Sequence, residues 1–208
     1  MSLATRADLD TEVSNWLNRT DLSGRYDRFV ALLEADLRGK LYHRRSLVRA
    51  TTNLVAGDEY LLLPPDFAKA HIFYLSSNDR RWQLNYLTQS QMLSRYPTKI
   101  DGDPFVFSIV GNEIWLFPTP QDSLVLEMNY FQTVPSLNTN ATNWLLSGYP
   151  DVYFYGMLAI AHKAVRNNNE AIQYQTIYDN ALSTVLNDGI ESSRDGGPLQ
   201  ITTDTRSF

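Results

Sequence analysis

The stretch Asn143-Trp144-Leu145-Leu146-Ser147-Gly148-Tyr149-Pro150-Asp151-Val152-Tyr153-Phe154-Tyr155-Gly156-Met157-Leu158 joins a helix start to a dense aromatic run. Proline suits the first turn of a helix, where a missing N–H has no intrahelical partner to lose. From Val152 to Val165 the only strongly polar side chains are His162 and Lys163, so this helix is apolar nearly all round. Such a helix is expected at the centre of a core. Asp151 sits where a carboxylate complements a helix N-terminus, which favours a structural over a catalytic role.

Working outward, Asn143 to Ser147 reads as a helical turn, and a last amphipathic helix starts near Asn168. Ala171, Tyr174, Tyr178, Ala181, Leu182 and Val185 form its apolar stripe, and Asp188-Gly189 offers an end. Toward the N-terminus, a helix is predicted from about Thr5 to Asn18, with Thr5 and Asp8 as a capping-box-like start. A second runs from about Arg25 to Leu41, with Tyr26, Phe29, Val30, Leu33 and Leu37 at helical spacing, and the two are expected to pack as an antiparallel hairpin.

From Arg44 the period changes. Leu47-Val48, Tyr60–Leu63, Ile72–Leu75 and Trp82–Leu84 read as short strands between turn residues, and Thr88 to Arg95 as a short helix. Phe105–Val110 and Glu113–Phe117 flank Gly111-Asn112, a hairpin in which glycine comes first, as a type II′ turn requires. Leu124, Leu126, Met128 and Tyr130 then alternate with Val125, Glu127, Asn129 and Phe131, predicting a small antiparallel sheet with one buried face. The expected fold is therefore α+β: a helical core from residues 1–43 and 135–191, a β-rich insertion over 44–134, and a C-terminal tail over 192–208. In that tail Gly196-Gly197-Pro198 is followed by Leu199, Ile201 and Phe208, too widely spaced for a core and suited to ordering on a partner.

Composition narrows the function. The 208 residues are 43% hydrophobic and 20% charged, ordinary for a soluble protein, while 12 Tyr, 9 Phe and 4 Trp supply more aromatic surface than such a chain needs. Aromatic side chains are favoured both in cores and at interfaces. Cysteine is absent, which excludes disulfides, thiolate metal sites and cysteine nucleophiles and fits a reducing cytoplasm. No signal-peptide core and no run long enough to span a bilayer is present, so no membrane partner is expected.

Between Leu37 and Gly57, Arg38, Lys40, Arg44, Arg45 and Arg49 stand with His43 and no acid; with those five set aside, 13 basic residues face 23 acids, a net charge of −10. The acidic majority argues against a dedicated nucleic-acid binder. The basic group has three readings: a solvated helix end and strand edge, contact with an acidic neighbour, or transient contact with passing DNA phosphates.

Catalysis finds little support. His43, His71 and His162 lack metal-ligand spacing, and there is neither a G-x-S-x-G elbow nor a G-x-x-x-x-G-K-[ST] phosphate loop. Asp66 and Asp151 stand at turn and helix-start positions. No catalytic, cofactor or metal site is expected, and the chain is read as not an enzyme.

Several pieces taken together carry a family resemblance: Asp8 to Leu22 (D-L-D-T-E-V-S-N-W-L-N-R-T-D-L), Ala35–Arg38, Leu63-Pro64-Pro65-Asp66-Phe67, Val110–Glu113, Leu116–Pro120, and N-W-L-L followed after three residues by P-D-x-Y-x-Y-G-x-L. In order and spacing they resemble the head-to-tail adaptor (connector) proteins of tailed bacteriophages. The motif residues carrying most of the likeness are Asn143, Trp144, Pro150, Asp151, Tyr153 and Tyr155. The resemblance implies a structural virion protein of the neck, assembled in the host cytoplasm, whose subunits form a dodecameric ring under the portal protein, accept tail or nozzle proteins and continue the channel for double-stranded DNA. Leu199, Ile201 and Phe208 are then expected at a portal or subunit interface. Another neck or tail-completion protein, such as a tail terminator, is the alternative, ahead of an enzyme with an unrecognised site.

Overall fold

The computed structural model describes residues 3–19, 21–77 and 80–194. In chain order the elements are α1 (Arg6–Leu17), α2 (Tyr26–Arg38), β1 (Leu47–Leu54), β2 (Tyr60–Leu62), β3 (Phe67–Ser77), β4 (Arg80–Gln83), β5 (Asn85–Tyr86), α3 (Gln89–Arg95), β6 (Val106–Val110), β7 (Glu113–Phe117), β8 (Leu124–Gln132), α4 (Trp144–Gly148), α5 (Pro150–Ala164) and α6 (Asn168–Arg194). The fold is α+β. It divides into two compact units, one helical, from the chain up to Arg45 and from Val134 on, and one β-rich, Ser46–Thr133.

In the helical unit α1 opens on a reciprocal capping box. Thr5 Oγ1 accepts from Asp8 N–H (3.2 Å), and Asp8 Oδ2 accepts from Thr5 N–H (3.0 Å). Asn18 closes the helix in the left-handed region, at φ 49°. The centre is α5, whose Val152, Tyr153, Met157, Leu158 and Ala161 are fully buried. It packs against α1, α2, α4 and α6, so α1 and α2 each lean more on α5 than on each other, and the expected two-helix hairpin is not the organising contact. A Cβ at Gly156 would come within 2.6 and 2.9 Å of the Leu33 methyls and 3.1 Å of the Tyr178 ring, so the close approach of α2 and α6 to α5 needs glycine there.

The final helix departs from expectation. Asp188-Gly189 does not end α6, which continues to Arg194. Glycine inside a helix costs roughly 0.5–1 kcal/mol relative to alanine. Here alanine has no room: its Cβ would stand 2.9 Å from His43 Cδ2.

The β unit holds two four-stranded sheets rather than the single small one expected, ordered β1-β8-β3-β4 and β2-β7-β6-β5. The second is not wholly antiparallel, because β5 runs parallel to β6. Residues of both sheets, including Phe73, Leu75, Phe107, Ile114, Leu116, Leu126 and Met128, make one apolar core. The alternation along β8 holds: Leu124, Leu126, Met128 and Tyr130 are buried between more exposed neighbours. Gly111 takes φ +61° in the β6–β7 turn, as its position in the sequence requires. A second capping box, Thr88 with Gln91, starts α3, whose Met92 packs on Val106 and Phe117.

Candidate interaction surfaces

The 143–158 motif builds joints rather than a reactive pocket. Asn143, only 7% exposed, caps α4 by accepting from Leu146 N–H (2.8 Å), and its Nδ2 donates to Pro135 O (2.7 Å) and Tyr153 Oη (2.9 Å). The Tyr153 hydroxyl donates to Glu34 Oε1 (3.3 Å), which also accepts from Leu137 N–H (2.8 Å). One buried network thus ties α2, α4 and α5 to the segment leading out of β8. Burial, reinforced by the Glu34 charge, holds the Tyr153 phenol well above the ordinary tyrosine range.

Tyr155 is half-buried, stacked on Tyr174 at 6.4 Å between centroids, and Trp16 at the surface donates its indole N–H to Tyr174 Oη (2.7 Å). Asp151 is exposed in the first turn of α5, beside Pro150.

A second joint, around His43, was not legible in the sequence. His43 is 2% exposed; its Nδ1 accepts from Arg45 N–H (3.0 Å), so its proton lies on Nε2, which faces Asp188 Oδ2 at 3.3 Å. The imidazole stacks on Trp144 (5.2 Å, 20°) and lies against Gly189. The Tyr149 hydroxyl also donates to Asp188. The bonds from Tyr149 and His43 draw the Asp188 carboxyl below its usual value, and burial, with the Asp188 bond, raises the Tyr149 phenol. An Asp–His pair invites a catalytic reading, but this imidazole is walled in by an indole and a helix backbone, with no room for a reacting atom.

The basic residues take different roles. Lys40 pairs with Asp36 (2.6 Å), which also accepts from Tyr178 Oη (2.8 Å). Burial alone would raise Asp36, yet these bonds leave it below the ordinary carboxylate range. The Arg45 guanidinium lies over the Tyr149 ring at 5.7 Å. Arg38 and Arg44 are exposed at the end of α2 and just after it. Arg49, on β1, shares Glu127 with Arg81 (3.0 and 2.9 Å). Leu199, Ile201 and Phe208 lie outside the described residues.

The β unit carries a groove of 580 Å³ between β3 and Leu84–Tyr86, with Phe107 and Ile109 from β6 contributing. His71 lines it, while His162 belongs to the helical unit, stacked on Tyr174. Among the described residues no group of three or more His, Cys, Asp and Glu side chains is placed to hold a metal ion. No helix among them is long and apolar enough to cross a membrane.

The chain has no match among curated proteins. The model of the SU10 adaptor protein family matches residues 4–202, nearly the whole sequence, and the chain belongs to that family of phage head-to-tail adaptors.

Proposed function

We propose that this protein is a neck subunit of the virion which assembles in the host cytoplasm as a dodecameric ring on the portal protein, receives tail or nozzle proteins, and continues the DNA channel. The observation that carries the reading is the family match over residues 4–202. Physical features agree with it. Apart from the Arg38–Arg49 segment the chain is strongly acidic, which suits a channel that DNA must traverse without sticking. Exposed apolar side chains, among them Leu32 (54%) and Ile172 (66%) in the helical unit and Leu62 (69%) in the β unit, suit the repeated heterologous contact of a closed ring.

In this reading the exposed Arg38 and Arg44 meet an acidic neighbouring surface, and Leu199, Ile201 and Phe208 anchor the tail on the portal or an adjacent subunit. The 143–158 motif holds the subunit's shape and performs no reaction. The test is to mix the purified protein with its portal and image the product. A ring seated on the portal is expected; failure to bind portal, with capture by tail-tube protein instead, would reassign the chain as a tail terminator.

A further inference from the structure

Where β4 gives way to β5 the chain leaves one sheet for the other. β4 accompanies β3 only over Tyr74–Ser77, Leu84 N–H makes a last bond to Phe73 O (2.9 Å), and Asn85-Tyr86 then join β6. The divergence opens the 580 Å³ groove. On the side of β3 away from β8, no described strand runs beside Ala70, His71 and Ile72, and a bulge between Ala70 and Ile72 bends this edge. The other wall carries Tyr86, 55% exposed, on a strand whose ladder is with β6 alone. A groove between two strand edges, floored by the buried Phe73, Leu84 and Phe107 and with Tyr86 and Ile109 accessible in its lining, is built to receive an extended segment by strand addition.

The sequence supplies such a segment. Pro198-Leu199-Gln200-Ile201-Thr202-Thr203 alternates so that Leu199 and Ile201 share one face of a strand, and two of its residues after Ile201 are β-branched threonines. Proline, lacking a donor, is tolerated as the first residue of a strand. From Arg194, the last described residue, to Pro198 is four positions, about 13 Å if extended at roughly 3.3 Å per residue, so the segment enters a subunit that stands directly beside the end of α6. We propose that Pro198–Thr203 of one copy adds as a strand to the β3 edge of this groove in a second copy, placing Leu199 and Ile201 against its accessible apolar lining, Tyr86 and Ile109. The proposal rests on the ring reading above, in which each subunit meets the next through one heterologous contact.

Because the chain has no cysteine, a single reactive site is easily introduced. His71→Cys, and separately Tyr86→Cys, carry a benzophenone photoprobe on an exposed groove residue. Each is mixed with heavy-isotope unsubstituted chain, both free at high concentration and bound to portal, and cross-linked peptides are identified by mass spectrometry. Cross-links from both positions to heavy peptides containing residues 198–203 are expected. Ile201→Asp in the heavy chain should lower their yield about tenfold, the effect of losing one large buried side chain. Cross-links only within the light chain, only to portal, or nowhere in either sample would overturn the proposal. Portal binding is imaged in the same samples: a ring without these cross-links rejects strand addition and keeps the adaptor reading, whereas cross-links in the free chain without portal binding do the reverse.

Discussion

The two units hold themselves together by different uses of polar groups. In the β unit the backbone does the joining: strands distant in sequence, such as β1 and β8, exchange main-chain bonds along eight paired residues. A helix spends most of its backbone bonds within itself, so little in its main chain fastens it to a neighbour beyond an end bond such as Arg6 N–H to Ala141 O at the start of α1. The helical unit supplies the missing fasteners as side chains, and Glu34, His43 and Asn143 each bond to main chain in a segment that joins a helix to a strand. Buried polar side chains therefore do more of the fastening in the helical unit, while main-chain ladders do most of it in the β unit.

Apolar burial should not tell the units apart. Tyr153→Ala is expected to cost about 3–5 kcal/mol and Leu126→Ala about 2–5 kcal/mol, since both side chains are fully buried. Urea unfolding of the two variants measures this, and a markedly smaller loss for either would mean that its unit contributes little to the measured stability.

The contrast sharpens with Asn143→Ala and Ser108→Ala. Asn143 loses a helix cap and two donated bonds, for about 2–3 kcal/mol. Ser108 is fully buried on β6 with its hydroxyl unpartnered, so alanine should be within about 0.5 kcal/mol of the parent or more stable. Equal costs in thermal or urea unfolding would break the comparison.

Alkaline pH gives a graded version of the same test. Tyr153 and Tyr178 in the helical unit are raised, mainly by burial and also by Glu34 and Asp36 respectively. In the β unit Tyr130 is pushed up to about 12 by burial and its bond to Asp66. A phenol raised on folding stays protonated in the native state while its unfolded counterpart ionises near 10, so its stabilisation is complete below pH 10 and lost as pH climbs through the folded value. Stability followed by urea midpoints should fall above pH 10, and Tyr153→Phe with Tyr178→Phe should flatten that fall more than Tyr130→Phe. The reverse order would place the sensitive phenol in the β unit.

The smallest effect belongs to Asp151→Asn. An exposed carboxylate in the first turn of a helix contributes about 0.3–1 kcal/mol through the helix dipole, screened by salt. Loss of portal binding at unchanged stability would give this residue a recognition role that its position in α5 does not require.

Local chemistry was readable from residue order. Thr5 with Asp8, Gly111-Asn112, the β8 alternation and the proline start of α5 each involve neighbours within a few positions, where propensity and period decide. The two-sheet arrangement was not readable, because it depends on the chain leaving β3 at Leu84 and pairing Asn85-Tyr86 with β6, a choice made by packing across some twenty residues. Nor was the continuation of α6 through Gly189: glycine there signals a helix end until His43, 146 positions earlier, is placed against it. The same distance hid the His43–Asp188 pairing. The role of Glu34 was not readable either, because the Leu137 N–H it accepts from lies 103 positions away.

The division of the chain also sets an order of synthesis. A ribosome releases all of Ser46–Thr133 before any residue from Val134 onward, so the β unit has every partner it needs while α1 and α2 still lack α5 and α6. Until then Leu9, Val13, Phe29 and Leu33 have no inner helix to cover them, and the bond from Arg6 N–H to Ala141 O has no acceptor. α1 and α2 are thus made before the β unit and completed after it, with their apolar faces uncovered until α5 follows.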